Sequence, residues 1–368
     1  MDIENMKKFT EYLNEQSLKF GNETRPNYGH VIVLAGGAGV GKGAVVKNLL
    51  AFPTAKLMNP DVFKKRVAML DTEIKKMREK FGKLPDSEVL FEPVKLGDSD
   101  YLNRLKQFIN TNKGNTSFDR VAKTLITNLQ SSKSFRDTLI KKMPEMVKSA
   151  NPTMSKQERE EKVNAYTELL KGDIDLGNQE TVGLLHDLHS KIGFEAKELE
   201  RFLEAQTDPK RLPNVVFDGT LKNSGKTLEQ LKKLVAVGYK PENIHLVWVV
   251  NSNQNSHDNN LARERSVPED IRVATLKKST ETIVNILKGK DGISEYMNGN
   301  WYVVFSEFNA KSKTTRILNQ AKNRRQIFAD YVMVKRPNVA PDVSLVDKDA
   351  LKRIADNLPW ADFSDVWA

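Results

Sequence analysis

The chain has 368 residues, no cysteine and a formal net charge of +10. A composition that is 39% hydrophobic and 29% charged is typical of a folded protein and excludes global disorder. The lack of cysteine excludes a disulfide framework, a thiol nucleophile and cysteine-bound zinc. We expect two domains, or one domain with an insertion, and a cytoplasmic protein with no membrane partner. The sequence has neither the ~18–20 apolar residues of a membrane span nor an apolar signal segment at its start.

Residues 1–28 are predicted to form a helix that precedes the first strand. Apolar side chains such as Ile3, Met6 and Phe9 recur there at helical spacing. The next segment, residues 30–34, is a continuous apolar run, which predicts a strand buried on both faces. A glycine-rich loop and another helical pattern follow this strand.

Four further apolar segments predict strands, and helical patterns separate them. These segments are residues 55–59, 214–220, 243–251 and 301–308. Strands that alternate with helices are typical of a parallel sheet with helices on both faces. The sequence therefore predicts an α/β fold with a mainly parallel, five-stranded sheet.

A long helical segment, residues 62–210, separates the second predicted strand from the third. It is too long for a simple crossover between neighbouring strands. We therefore predict a core made of residues 29–61 and 211–335, with a large α-helical insertion between its two parts. Residues 336–368 are predicted to form a C-terminal tail.

The glycine-rich loop fits the phosphate-binding pattern G-x-x-x-x-G-K between a strand and a helix. In such a loop successive backbone N–H groups form a concave nest for phosphate oxygens, and the helix N-terminus adds partial positive charge. Lys42 is expected to reach the β- and γ-phosphates of ATP or GTP. The predicted nucleotide-binding residues are Gly36, Gly37, Ala38, Gly39, Val40, Gly41, Lys42, Gly43 and Ala44. The alternative is a turn that only joins the strand to the helix.

One position of the loop departs from the pattern. Gly43 stands where a serine or threonine hydroxyl usually holds Mg²⁺. The metal would then depend on waters, phosphates and another carboxylate.

Asp61 follows the second predicted strand. In open α/β sheets the ligand crevice lies beyond the carboxyl ends of the strands. A carboxylate there is placed to take a proton from a substrate hydroxyl during phosphoryl transfer, so Asp61 is a candidate catalytic base. The alternative is that Asp61 only caps the following helix.

A second carboxylate, Asp218, ends the third predicted strand and precedes Gly219 and Thr220. Such a residue can hold Mg²⁺ or a substrate hydroxyl, and Thr220 and Lys222 can bind substrate. We predict Asp218 as a metal ligand and all three side chains as substrate contacts. The alternative is a turn that ends the strand.

Arginines follow the fourth predicted strand, among them Arg263 and Arg265. Guanidinium groups at this place can close over a triphosphate and stabilise the charge that develops during transfer. We predict catalytic roles for Arg263 and Arg265. The alternative is an arginine pair exposed on the surface.

Two further patterns are interpreted as structural. Residues 224–227 contain Gly-Lys-Thr, but the spacing from Gly219 is wrong and no separate strand precedes them, so they predict a turn and a helix start. His186 and His189 lie three residues apart, as metal ligands on a helix face do, but no third ligand is evident.

In order, the four motifs resemble those of the zeta-toxin-like group of P-loop kinases. The resemblance covers about residues 30–60 and 214–308, but neither the insertion nor the tail. It implies a P-loop kinase fold with Asp61 as the base and Asp218 in place of the family's glutamate. It also implies that the lid arginines correspond to Arg263 or Arg265, and to Arg272 as a substrate contact.

The resemblance leaves the acceptor open. The family includes toxins that phosphorylate the sugar of UDP-N-acetylglucosamine, and related bacteriophage kinases phosphorylate 5-hydroxymethyluracil in DNA. The basic excess favours a polyanion, and the lysine-rich segment 64–80 could follow a phosphate backbone, so we predict DNA as substrate and partner. The alternatives are a nucleotide-sugar kinase and a non-catalytic, ATP-gated nucleic-acid-binding protein, which Gly43 favours.

Overall fold

The computed structural model divides the chain into two compact units. We call them the sheet unit, Met1–Asn59 with Leu199–Ala368, and the helical unit, Pro60–Glu198. The predicted insertion, residues 62–210, begins and ends slightly later than the helical unit. The structure describes residues 17–20, 23–26, 28–48, 50–51, 55–206, 212–263, 267–290, 292–307, 311–320, 325–340 and 348–361.

The sheet unit contains a seven-stranded sheet in the order β5-β6-β3-β7-β8-β10-β9, and a smaller sheet in the order β2-β1-β4. The strands are β1 (Ser17–Phe20), β2 (Glu23–Pro26), β3 (Val31–Ala35), β4 (Leu50–Ala51), β5 (Lys56–Met58), β6 (Val215–Asp218), β7 (Ile244–Val250), β8 (Trp301–Phe305), β9 (Thr315–Gln320) and β10 (Arg325–Lys335). The first five strands of the large sheet pair in parallel, whereas β10 pairs antiparallel with both β8 and β9. The predicted α/β class and mainly parallel sheet are confirmed, but the large sheet has seven strands where five were predicted.

Two parts of the sheet unit differ from the sequence-based expectation. The predicted helix over residues 1–28 is wrong where β1 and β2 form, because β1 pairs antiparallel with β2 and β4. Residues 1–16 lie outside the described residues. The hairpin of β9 and β10 was not expected, because its segments mix charged and apolar residues and lack the continuous apolar run of the parallel strands.

The helices complete the two units. The helical unit contains α2 (Pro60–Val67), α3 (Met69–Phe81), α4 (Ser99–Thr111), α5 (Thr116–Ala150), α6 (Lys156–Lys171) and α7 (Gln179–Lys191), and α8 (Phe194–Glu204) spans the boundary. The sheet unit contains α1 (Lys42–Asn48), α9 (Ser224–Val237), α10 (Asn253–Leu261), α11 (Glu269–Leu287), α12 (Ile293–Tyr296) and α13 (Lys348–Asn357). None of the helices among the described residues is long and apolar enough to span a membrane.

The continuous apolar strands lie between two hydrophobic layers. Side chains of a strand alternate between the faces of the sheet. Val31 and Val33 of β3 belong to one core cluster, which includes Trp301, whereas Ile32 and Leu34 belong to the other. Both faces are therefore buried, which explains why β3 has no polar alternation.

One buried arginine of α5 bonds several elements of the helical unit. Arg136, 1% exposed, donates to the carbonyl oxygens of Val67 and Gly172 at 2.9 and 3.1 Å, and it pairs with the Asp71 carboxylate. These contacts join α2, α3 and the end of α6 through one side chain. The segment after Asp61 forms two helices, α2 and α3, with the break at Ala68.

Candidate phosphate-binding site

The glycine-rich loop has a backbone that only glycine adopts without strain at several positions. Gly36, Gly39 and Gly41 have φ angles of +128°, +80° and +96°. A Cβ atom on Gly39 would lie 2.0 Å from the carbonyl oxygen of Ser256, and one on Gly36 would lie 2.7 Å from that of Val249. The loop is therefore closely packed as well as left-handed, and side chains at these positions are excluded.

Five consecutive N–H groups of the loop have no acceptor among the described residues of the chain. They belong to Gly37, Ala38, Gly39, Val40 and Gly41. Gly37 and Val40 are buried, and the other three are partly buried. Because nearly all backbone donors at such depth in proteins are paired, the loop has the donors that an anion's oxygens require.

Lys42 lies at the start of α1 and folds back over the loop. Its Nζ donates to the carbonyl oxygens of Gly36 and Gly37, each at 2.8 Å. An ammonium group is thus held beside the unpaired N–H groups, at the N-terminus of a helix that adds partial positive charge. Three sources of positive potential meet at the loop.

The loop occupies the position in the sheet where ligands are expected. The chain leaves β3 towards β5 on one side and leaves β7 towards β8 on the other. The carboxyl ends of β3 and β7 therefore meet at a topological switch point, where open α/β sheets form their ligand crevice.

α10, which follows β7, contacts the outside of the loop. Ser256 Oγ donates to the Ala38 carbonyl oxygen at 2.7 Å, and Asn259 Nδ2 donates to that of Gly39 at 3.0 Å. Ser306, which directly follows β8, packs against the loop so closely that a Cβ on Gly41 would lie 2.5 Å from its Oγ.

Asp218 lies at the end of β6, as the sequence predicts, and an unexpected partner orients it. Asn59 Nδ2 donates to Asp218 Oδ2 at 2.6 Å, and Gly36 N donates to the Thr220 carbonyl oxygen at 3.4 Å. Leu221, between Thr220 and Lys222, is nearly buried and has a φ of +54°, a conformation that costs a branched residue about 1–3 kcal/mol. This segment is thus held in a strained conformation beside the glycine loop.

The predicted arginines differ in their placement. Arg263 is exposed just beyond α10, and Arg265 lies outside the described residues. Asn260 closes the base of their loop, since Nδ2 donates to the Val267 carbonyl oxygen at 2.8 Å and Oδ1 accepts from Val267 N at 3.0 Å. We call residues 262–267 the arginine loop.

Arg272 is predicted as a substrate contact, but its surroundings favour a structural role. Its side chain is completely buried, and it donates to Glu269 Oε1, Ser256 Oγ and Asn253 Oδ1 at 2.6, 2.9 and 2.7 Å. With these protein acceptors, the guanidinium joins α11 to α10. The sequence motif could not predict this role, because the spacing of residues in a motif does not reveal which groups an arginine side chain contacts.

Asp61 belongs to the helical unit, in the first turn of α2. Lys64 Nζ lies 3.6 Å from Asp61 Oδ1, and the ammonium stabilises negative charge on this carboxylate. Asp61 follows Asn59, the partner of Asp218, by two residues in the chain.

Asp218 is the carboxylate that the sequence predicts as an Mg²⁺ ligand, and it lies at the end of β6. Gly43 offers no hydroxyl, and within the described parts of the chain there is no group of three or more His, Cys, Asp or Glu residues that could hold a metal. Magnesium is commonly bound through one or two carboxylates, waters and substrate phosphates, so Asp218 fits a metal that arrives with a nucleotide.

The two patterns that the sequence interpretation set aside are structural. Residues 224–227 begin α9, and the side chain of the preceding Asn223 accepts from Lys226 N as an N-cap. His189 is buried against Phe63 at a ring distance of 5.2 Å, whereas His186 is exposed. These two histidines therefore do not share a metal-binding surface.

Sequence reasoning missed the polar residues that support the site: Asn59, Ser256, Asn259 and Asn260.

In comparisons with protein-family models, curated proteins and solved structures, no match to this chain was found.

Proposed function

We propose that the protein is a P-loop phosphotransferase that binds ATP or GTP at the glycine loop. The observation that carries this proposal is the row of N–H groups from Gly37 to Gly41, which have no acceptor in the described parts of the chain, with Lys42 beside them. A triphosphate offers the oxygens that these donors require. The switch-point position and the strand-loop-helix arrangement support a nucleotide in preference to a smaller anion.

The proposed reaction transfers the γ-phosphoryl group to a hydroxyl of the acceptor. The acceptor oxygen bonds to the phosphorus, the bond to the β,γ-bridging oxygen breaks, and the nucleoside diphosphate leaves. Asp61 takes the hydroxyl proton, and Lys42 with Arg263 or Arg265 stabilises the charge on the transferring group. Mg²⁺, held by Asp218 and the phosphates, would neutralise charge on the β- and γ-oxygens.

For the acceptor we propose a base hydroxyl in DNA, 5-hydroxymethyluracil. The charge that supports a polyanion lies mostly in the sheet unit, which has 33 Lys and Arg against 26 Asp and Glu, whereas the helical unit has 25 against 22. In the segment after Asp61, Lys64 is buried, Arg66 stacks on Phe135 and Arg78 donates to the Leu90 carbonyl oxygen. This distribution favours a DNA contact on the sheet unit over one along residues 64–80.

Transfer of label from γ-labelled ATP tests the function. We expect label in hydroxymethyluracil DNA, and Asp61→Asn is expected to lower turnover by at least ~100-fold while ATP affinity stays within about twofold, because general-base catalysis contributes typically 10²–10⁴-fold. Thymine DNA is the matched control acceptor. Label in UDP-N-acetylglucosamine alone would contradict the DNA substrate, and unchanged turnover of the variant would remove Asp61 from the mechanism.

Gly43 supports a second candidate, an ATP-gated nucleic-acid-binding protein without catalysis. Its missing hydroxyl weakens the metal site on which transfer depends. ATP-dependent DNA binding with no transfer to any hydroxyl tested would favour this candidate.

A further inference from the structure

We infer that Ser256 and Asn259 of α10 are positioning residues that aim the N–H groups of the glycine loop at the bound phosphates, and that Arg272 holds Ser256 in this role. This inference rests on the proposed phosphate-binding function. It adds a second element, 218 residues later in the chain, that determines the shape of the loop.

The first step of the argument is peptide geometry. In a planar trans peptide, the carbonyl of one residue and the N–H of the next point in opposite directions. Ser256 holds the carbonyl of Ala38 and Asn259 holds that of Gly39. The N–H groups of Gly39 and Val40 are consequently turned away from α10. Both belong to the row of donors that has no acceptor among the described residues.

The second step assigns the proton of the Ser256 hydroxyl. Arg272 Nη1 donates to Ser256 Oγ at 2.9 Å, and a guanidinium has no acceptor atom. The single hydroxyl proton is therefore free to go to the Ala38 carbonyl oxygen, 2.7 Å away. Since Ser256 and Arg272 are both completely buried, neither side chain is accessible to a substrate.

The third step connects this support to the arginine loop. Arg272 also donates hydrogen bonds to Glu269 on α11 and to Asn253 on α10, which lie on either side of the arginine loop in the chain. Asn260, on the same helix as Ser256, closes the base of that loop. The helix that contacts the glycine loop, α10, thus also bonds Val267 at the end of the arginine loop.

The experiment measures binding of tripolyphosphate and ATP to the full chain by calorimetry. Ser256→Ala and Asn259→Ala each remove one donor to the loop, so each is expected to weaken both affinities by about three- to tenfold. Asn259 is exposed, so its variant is expected to fold normally. Ser256→Thr keeps the hydroxyl and is expected to recover binding relative to Ser256→Ala.

Gln254→Ala is the matched control, because Gln254 is exposed on the same helix and bonds only Asp258 among the described contacts. Its affinities are expected to equal those of the wild type. Equal affinities of wild type, Ser256→Ala and Asn259→Ala would overturn the inference while leaving the phosphate site intact. A folded wild type that binds neither ligand would overturn the proposed function together with it.

Discussion

At the scale of single residues, the glycine loop contains glycines that its geometry requires and one that it does not. Gly39 has a positive φ and no room for a Cβ, whereas a Cβ on Gly43 meets no atom within 4 Å. Gly39→Ala is therefore expected to deform the loop and weaken ATP binding by more than ~10-fold, while Gly43→Ala leaves it unchanged. Nucleotide titration of the two variants, with equal thermal stability as the folding check, tests this difference.

The same geometry makes Gly43→Ser an informative gain-of-function variant. Serine fits the open position in α1 and is a better helix former than glycine by a few tenths of a kcal/mol. Its hydroxyl supplies the Mg²⁺ contact that the chain lacks. We expect a lower Mg²⁺ concentration at half-maximal turnover. An unchanged Mg²⁺ concentration at half-maximal turnover would show that the serine hydroxyl does not contact the metal.

At the scale of elements, α13 is anchored to the sheet by Arg353. Its guanidinium stacks on Phe305 at 4.0 Å and donates to the buried Asp330 at 2.8 Å. Arg353→Ala leaves that carboxylate without its cation, so we expect the free energy of unfolding to fall by roughly 2–4 kcal/mol, allowing for the partial exposure of the arginine. Urea unfolding measures this loss of free energy, and Lys352→Ala, at an exposed position of the same helix, is the control. A loss equal to that of the control would contradict the anchor.

Another junction of elements makes the helical unit sensitive to pH. Burial raises the pKa of Asp71 to about 7, against the opposing effect of Arg136. The folded state then binds a proton that the unfolded chain releases near pH 4, so this group's contribution to stability is complete below pH 4 and is lost as the pH rises towards 7. Asp71→Asn is expected to flatten this part of the stability profile. Parallel pH profiles of the two proteins would contradict the assignment.

At the scale of the whole molecule, local patterns and long-range contacts differ in what a sequence reveals. β3, the glycine loop and α1 are contiguous, and their apolar run and glycine spacing predict them directly. The contact of Asn59 with Asp218 joins residues 159 positions apart, and no periodicity encodes such a pair. Arg272 shows the same limit, because its motif suggested a ligand contact and the fold gave it protein partners instead. The supports of the site therefore required the structure.

The central claim is that the five N–H groups of the loop bind the phosphates of a nucleoside triphosphate. Amide chemical shifts of the ¹⁵N-labelled chain, recorded during titration with ATP and Mg²⁺, test this claim most directly. The account predicts saturable shifts at Gly37, Ala38, Gly39, Val40 and Gly41, which tripolyphosphate reproduces and which the Lys42→Met variant weakens. Saturable ATP binding that leaves these five amides unmoved, or no binding by the folded chain, would contradict it.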